Sequence, residues 1–225
     1  MLLFYSLYMP NTRSTTMEEE LNKDDFRIAI FGSARIQRED DVYQDTTKLA
    51  QKLASEGVDI VSGGGPGLME AANLGQVLSK NPNTDSIGLT IELPFENSGN
   101  KYLNVKKHFQ KFSNRLDHFM ELSNAVVVMP GGIGTCLEFF YTLQLTQVKH
   151  ICHIPIILVG GMWKELHEWI LAYPVGSGLA SIEDLDNVFP VEHIEDAFTI
   201  IMKTKKEFEA GGTDACMLAM KNKFS

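Results

Sequence analysis

Basic residues are in short supply, with Lys and Arg numbering 20 against 29 Asp and Glu, for a formal net charge of −9 over 225 residues. A surface of that sign repels phosphate backbones, which argues against a nucleic-acid partner and requires any phosphate to be caught by a local set of donors. Cysteine is scarcer still. Cys136, Cys152 and Cys216 have spacings that fit neither a disulfide framework nor a four-ligand zinc site, so a reducing, cytoplasmic setting is the simpler expectation. His150 and His153 flank Cys152, but no second ligand cluster stands elsewhere to complete a coordination sphere, and no metal is expected. Long apolar runs are missing too. Met1 to Met9 is apolar, yet it follows no basic residue, is too short to span a bilayer and ends at Pro10 without a clear cleavage site, so neither a signal peptide nor a membrane partner is expected.

What is present is a chain with 44% hydrophobic residues, enough for a sizeable core in one domain. Met17 opens a second plausible start, Met-Glu-Glu-Glu. The reading is a leader over residues 1–24, a single domain over 25–210 and a loosely held tail over 211–225. Arg27 to Gly32 reads as a short apolar strand, Asp40 to Glu56 as a helix closed by Gly57, Val58 to Val61 as a strand and Leu68 to Leu78 as a helix. Ile87 to Leu93 is a third strand, Pro94 to Asn104 a polar loop and Asn114 to Leu122 a helix. Ala125 to Met129 is apolar without alternation, as in a strand covered on both faces. A helix over Thr135 to Gln147, a strand over Ile154 to Val159 and helices over Met162 to Leu171 and Ile194 to Phe208 complete the pattern. Such alternation predicts an α/β fold in three layers, a mostly parallel sheet with helices on both faces, binding ligands at the carboxyl ends of its strands.

Two glycine-rich turns, Ser62-Gly-Gly-Gly-Pro-Gly67 and Pro130-Gly-Gly-Ile-Gly-Thr135, each follow an apolar strand and open a helix. Either they are bare strand-to-helix turns, or they let a ligand approach the backbone and the positive end of a helix. Gly64, Gly65, Gly131, Gly132, Gly134 and Thr135 are the candidates for that contact, with Ser33 in Phe31-Gly-Ser-Ala-Arg35 at the same sheet edge. Neither turn fits G-x-G-x-x-G, and the chain has no G-x-x-x-x-G-K-[ST], so a monophosphate suits the site better than a dinucleotide or a triphosphate. Glu138 lies one helical turn beyond Gly134, Arg115 opens the preceding helix, and Glu96 stands at the mouth of the third strand. Taken singly, each is also compatible with an ordinary surface charge.

With these residues in place, the chain resembles the LONELY GUY family, cytokinin riboside 5′-monophosphate phosphoribohydrolases long labelled "possible lysine decarboxylase". The resemblance is carried by FGSAR at 31–35, GGGPGLMEAAN at 63–73, LPFE at 93–96, Arg115 and PGGIGTCLE at 130–138, over about 110 residues. It implies a Rossmann-like domain, a homodimer and cleavage of a purine nucleoside 5′-monophosphate, AMP or an N6-modified AMP, into free base and ribose 5-phosphate without a cofactor. It also implies that Arg115 and Glu138 are the catalytic pair, Glu96 a substrate-contacting acid and Gly132 to Thr135 the phosphate loop. The decarboxylase label gains nothing from the motifs, since neither glycine turn holds a lysine placed for a Schiff base. Three positions depart from the family pattern: Leu116 in place of lysine, Leu137 in place of an acid and Gln144 in place of threonine.

Splitting a ribosyl C–N bond builds positive charge on the sugar, which a carboxylate stabilises more in the transition state than in the ground state. Glu138 is expected to do this, with Arg115 positioning the substrate and holding Glu138 ionised. The competing expectation is a nucleotide or cofactor carrier, in the manner of molybdenum-cofactor carriers of similar fold. A DNA-processing protein of related fold is disfavoured by the acidic balance.

Overall fold

The computed structural model describes residues 16–21, 23–91 and 99–211. Seven strands, β1 (Arg27–Phe31), β2 (Asp59–Ser62), β3 (Ser86–Ile91), β4 (Val105–Phe109), β5 (Ala125–Val128), β6 (Ile156–Val159) and β7 (Val188–Val191), form one sheet in the order β4-β3-β2-β1-β5-β6-β7. Each adjacent pair is parallel. The central strands RIAIF, AVVV and IILV are buried at each residue, because helices cover both sides and no face needs a polar residue.

Strand parity sorts the core into two layers. Ala29, Phe31, Val61, Leu89, Val126, Val128 and Leu158 point to one side, where α4 (Phe112–Leu122), α5 (Ile133–Gln147) and α6 (Gly161–Ile170) supply Phe119, Phe139 and Trp163. Ile28, Ile30, Ile60, Ala125, Val127 and Ile157 point to the other. There α2 (Asp41–Ser55), α3 (Leu68–Ser79) and α7 (Ile194–Glu209) supply Leu49, Leu53, Leu68 and Ile201. The result is the three-layer Rossmann-like domain that the sequence pattern predicts.

Some elements were not legible in that pattern. β4 is an edge strand in which Val105 and Phe109 are buried while Lys106 and His108 are exposed. β7 lies at the opposite edge, and a π-helical turn at Leu171–Val175 extends α6. A short helix α1 (Met17–Leu21) falls within the span read as leader, and its Glu20 is fully buried. Arg27 Nε donates to Glu20 Oε1 at 2.9 Å, and Lys23 Nζ lies 2.6 Å from Glu20 Oε2 and 2.7 Å from Asp85 Oδ2. With Asp59 these acids bring carboxylate oxygens within 4.8 Å of one another at the amino ends of the strands, but two cations of the chain itself already occupy the cluster. Cys152 is buried and disulfide-bonded, against the expectation drawn from the cysteine spacing, whereas Cys136 is free. None of the described helices is long and apolar enough to cross a membrane.

Candidate active site

β1 pairs with β2 on one side and β5 on the other, so the strand order reverses there and the departing loops part at the carboxyl ends, as happens at ligand sites of such sheets. A cavity of about 560 Å³ occupies the gap. Its walls are Gly32–Arg35 after β1, Gly63–Gly65 after β2, Thr90 and Ile91 of β3, Lys106 and His108 of β4, Phe112 and Arg115 of α4, and Gly132–Thr135 with Glu138 of α5. Among the described residues Arg35, Lys106 and Arg115 face one carboxylate there, a balance that favours an anion although the chain as a whole is acidic.

The two glycine turns do different work. In the first, Gly64 N–H donates to Ser62 Oγ at 3.0 Å, Gly64 O accepts from Asn100 N–H at 2.7 Å, and Gly65 O accepts from Asn100 Nδ2 at 3.1 Å. Asn73 stands behind it, accepting from Ser62 Oγ and Asn100 Nδ2 and donating to Ser86 Oγ. Those backbone groups are committed, and the turn is a rigid wall. Gly63 is needed because a Cβ there would collide with Arg115 Nη2.

The second turn leaves its donors open. Cys136 N–H is the first in α5 to reach an intrahelical acceptor, Gly132 O at 3.0 Å, and no side chain caps the helix. The N–H groups of Ile133, Gly134 and Thr135 therefore stand at the cavity wall beside the positive end of the helix dipole, an arrangement that suits a phosphate. A Cβ at Gly132 or Gly134 would meet nothing within 4 Å, so none of the described residues fills the space in front of them. Ser33 N–H donates to Pro130 O at 3.1 Å and ties the first loop to this one.

Arg115 and Glu138 meet across the cavity. Arg115 Nε donates to Leu89 O at 2.7 Å, and the guanidinium lies 5.2 Å from the centre of the Phe119 ring, which fixes its plane. Its Nη1 is 3.8 Å from Glu138 Oε1, with side chains 10% and 14% exposed. That separation permits Coulomb attraction but exceeds a hydrogen bond. Burial therefore dominates: loss of water pushes the Glu138 carboxyl up to about 7, and Arg115 only partly offsets this. The expectation that Arg115 keeps Glu138 ionised is thus corrected, since near neutral pH both forms of the acid are populated.

The structure brings together Ser33, Gly64, Gly65, Arg115, Gly132, Gly134, Thr135 and Glu138 around one cavity. Gly131 lies just outside the lining, where the absence of a Cβ admits the Thr135 side chain. Glu96 lies outside the described residues. Among the departures from the family pattern, Leu116 is buried, whereas Leu137 and Gln144 are exposed on α5; none of the three lines the cavity. Met69, Thr90, Lys106, His108 and Phe112 line it without having been singled out. Lys106 and His108 could have been found only by recognising β4 and its outward face.

A model of the family described as "Possible lysine decarboxylase" matches residues 69–201, more than half of the chain, from α3 into α7 and across both Arg115 and Glu138. The chain belongs to this family. It is similar to the pyrimidine/purine nucleotide 5′-monophosphate nucleosidase of Escherichia coli (strain K12), at 24% identity over 140 residues covering 59% of the chain and 30% of that protein. The chain thus spans less than a third of this relative's length. Among solved structures it is similar to the molybdenum cofactor carrier protein of Chlamydomonas reinhardtii, with a TM-score of 0.63, 17% identity and 81% and 99% of the two chains covered. It is likewise similar to the molybdenum cofactor binding protein of Rippkaea orientalis, with a TM-score of 0.61, 18% identity and 80% and 96% covered. At these identities the likeness is one of fold. Membership of the possible lysine decarboxylase family is compatible with chemistry on nucleotide monophosphates.

The buried carboxyl has a measurable cost. Glu138 binds its proton more tightly folded, at about 7, than at the ordinary 4.5, so its contribution to stability falls as pH rises between those values and stays low above them. Glu138→Gln, which cannot ionise, is expected to match the wild type near pH 4.5 and to exceed it by roughly 3 kcal/mol above pH 7, from the 1.4 kcal/mol that accompanies each unit. Denaturant melts of both proteins from pH 4.5 to 8.5 test this. The difference isolates Glu138 from Asp59, whose buried carboxyl is also pushed up to about 7. A gap that stays flat with pH would contradict the assignment.

Proposed function

We propose that this protein hydrolyses the N-glycosidic bond of a nucleoside 5′-monophosphate, AMP or an N6-modified AMP, to free base and ribose 5-phosphate. The observation that carries the reading is a carboxyl poised near 7 inside a cavity whose neighbouring wall is an uncapped helix N-terminus. The phosphate lies against the Ile133, Gly134 and Thr135 N–H groups, with Arg35 adding charge. Glu138 sits one turn further along α5, beside the ribose. As the C1′–N bond lengthens, its electron pair moves to the base and positive charge grows on the sugar, where ionised Glu138 stabilises it. Water adds to C1′, its proton passes to Glu138, and the acid form then protonates the departing base. A group titrating near the working pH suits both halves of this exchange. Arg115 cannot act as a base and instead orients the substrate and limits the rise of the Glu138 pKa.

A cofactor carrier of this fold would need the cavity but not the buried acid. The structural neighbours that carry molybdenum cofactor support the fold alone, and they lend the carrier reading no separate observation. Incubation with AMP at near-neutral pH, with chromatography of free adenine and a colour test for ribose 5-phosphate, decides between binding and turnover. Glu138→Gln is expected to lower kcat by on the order of a hundredfold while leaving nucleotide affinity largely intact. Arg115→Met removes the charge that opposes the upward shift, so the alkaline rise of the pH–rate profile is expected to move to higher pH. A midpoint unmoved in that variant, or a wild type that binds AMP without releasing adenine, would contradict the reading.

The reading includes a second copy of the chain. α5 exposes Ile133, Leu137 and Phe140, at 87%, 47% and 40%, along one side next to the phosphate turn, an apolar stripe that a partner helix would cover. Sedimentation velocity is expected to give a two-chain mass that Leu137→Glu reduces to one chain. A single-chain mass for the wild type at micromolar concentration would remove this part of the proposal.

A further inference from the structure

The wall formed by β3, β4 and the start of α4 is unused by the steps above. With phosphate at α5 and ribose against Glu138, the base reaches the carboxyl ends of β3 and β4, because Arg115 runs from the Leu89 carbonyl of β3 to Glu138 of α5 and so lies between the two ends of the cavity. Thr90, Ile91, His108 and Phe112 line this far end. Phe112, three residues before Arg115 on α4 and 50% exposed, offers an aromatic face on which a base can stack.

Thr90 and His108 are register partners across the β3–β4 pair. Thr90 Oγ1 donates to Lys107 O at 3.3 Å and lies 3.2 Å from His108 Nδ1. A hydroxyl has one proton. When that proton is on the Lys107 carbonyl, Oγ1 meets the imidazole as an acceptor, and the matching tautomer has its ring hydrogen on Nδ1 and an acceptor at Nε2. Among the described residues no hydrogen-bond partner of Nε2 is found.

We propose that His108, held in this tautomer by Thr90, reads the edge of the base through Nε2 and selects bases that carry an exocyclic amino group over those that carry a carbonyl in its place. The inference rests on the nucleosidase reading for the orientation of the ligand. An amino group donates to Nε2, whereas a carbonyl would set two acceptors against each other, so only the first makes a hydrogen bond there. Lys106, exposed at the same end, is the group with the opposite preference, since an ammonium only donates.

AMP and IMP differ at the position in question and otherwise present the same phosphate and ribose. At pH 8, kcat/KM is expected to favour AMP by tenfold or more. Thr90→Val removes the hydroxyl that fixes the tautomer and His108→Leu removes the reader; both are expected to bring the AMP-to-IMP ratio to within about threefold of unity. Thr90→Ser should restore the preference. The ratio within one variant cancels general damage to folding or turnover, so a merely structural role for Thr90 would leave it unchanged. Equal rates in the wild type, or a ratio that survives in Thr90→Val, overturns the proposal, and a preference for IMP assigns the base edge to Lys106 instead. Should the wild type turn over neither nucleotide, the hydrolase reading fails separately, and calorimetric dissociation constants carry the same test: tighter AMP binding lost in Thr90→Val supports the proposal, and equal affinities refute it.

Discussion

Withdrawal of water from the Glu138 carboxyl, incompletely offset by Arg115, is the constraint around which the site is built. A carboxylate solvated at the surface would titrate in the ordinary range, and one in direct contact with the guanidinium would be held ionised. The separation of 3.8 Å between Nη1 and Oε1 leaves it between those limits, with the carboxyl near 7. Several parts of the fold maintain that separation. The Leu89 carbonyl and the Phe119 ring hold the guanidinium, Gly63 leaves room for its Nη2, and the start of α5 is fixed to the β1 loop through Ser33 and Pro130.

Two turns of similar composition divide the labour of binding and support. The turn after β2 has its Gly64 N–H taken by Ser62 and its Gly64 and Gly65 carbonyls taken by Asn100, with Asn73 linking both to β3 through Ser86. The turn after β5 keeps the first N–H groups of α5 unpaired within the helix. A buried polar network is tolerated only when its members are satisfied, and here that requirement produces a stiff wall against which a flexible ligand can be placed. Local cations then do what the acidic surface as a whole cannot.

The central strands and the glycine turns were legible because each leaves a local mark, an apolar run or a missing Cβ, whereas Arg115 and Glu138 show only a charge at a helix start and were singled out as a pair through the family resemblance. β4 left none. VKKHF mixes buried Val105 and Phe109 with exposed Lys106 and His108, and as an edge strand it has too little apolar content to announce itself. Missing it concealed one wall of the cavity, because the juxtaposition of Thr90 and His108 depends on β4 pairing with β3. The protonation of Glu138 was misjudged for a related reason. Sequence supplies the presence of Arg115 but not the distance or the dryness of the pair, and those decide which effect prevails. α1 escaped notice because its five residues bury an acid, Glu20, whose partner Arg27 belongs to another element.

The most direct measurement is a titration of the Glu138 carboxyl carbon by NMR in protein labelled with ¹³C at glutamate side chains, assigned by comparison with Glu138→Gln. The account predicts a resonance with its midpoint near 7 that is missing from the variant. A midpoint in the ordinary glutamate range near 4.5 would contradict it.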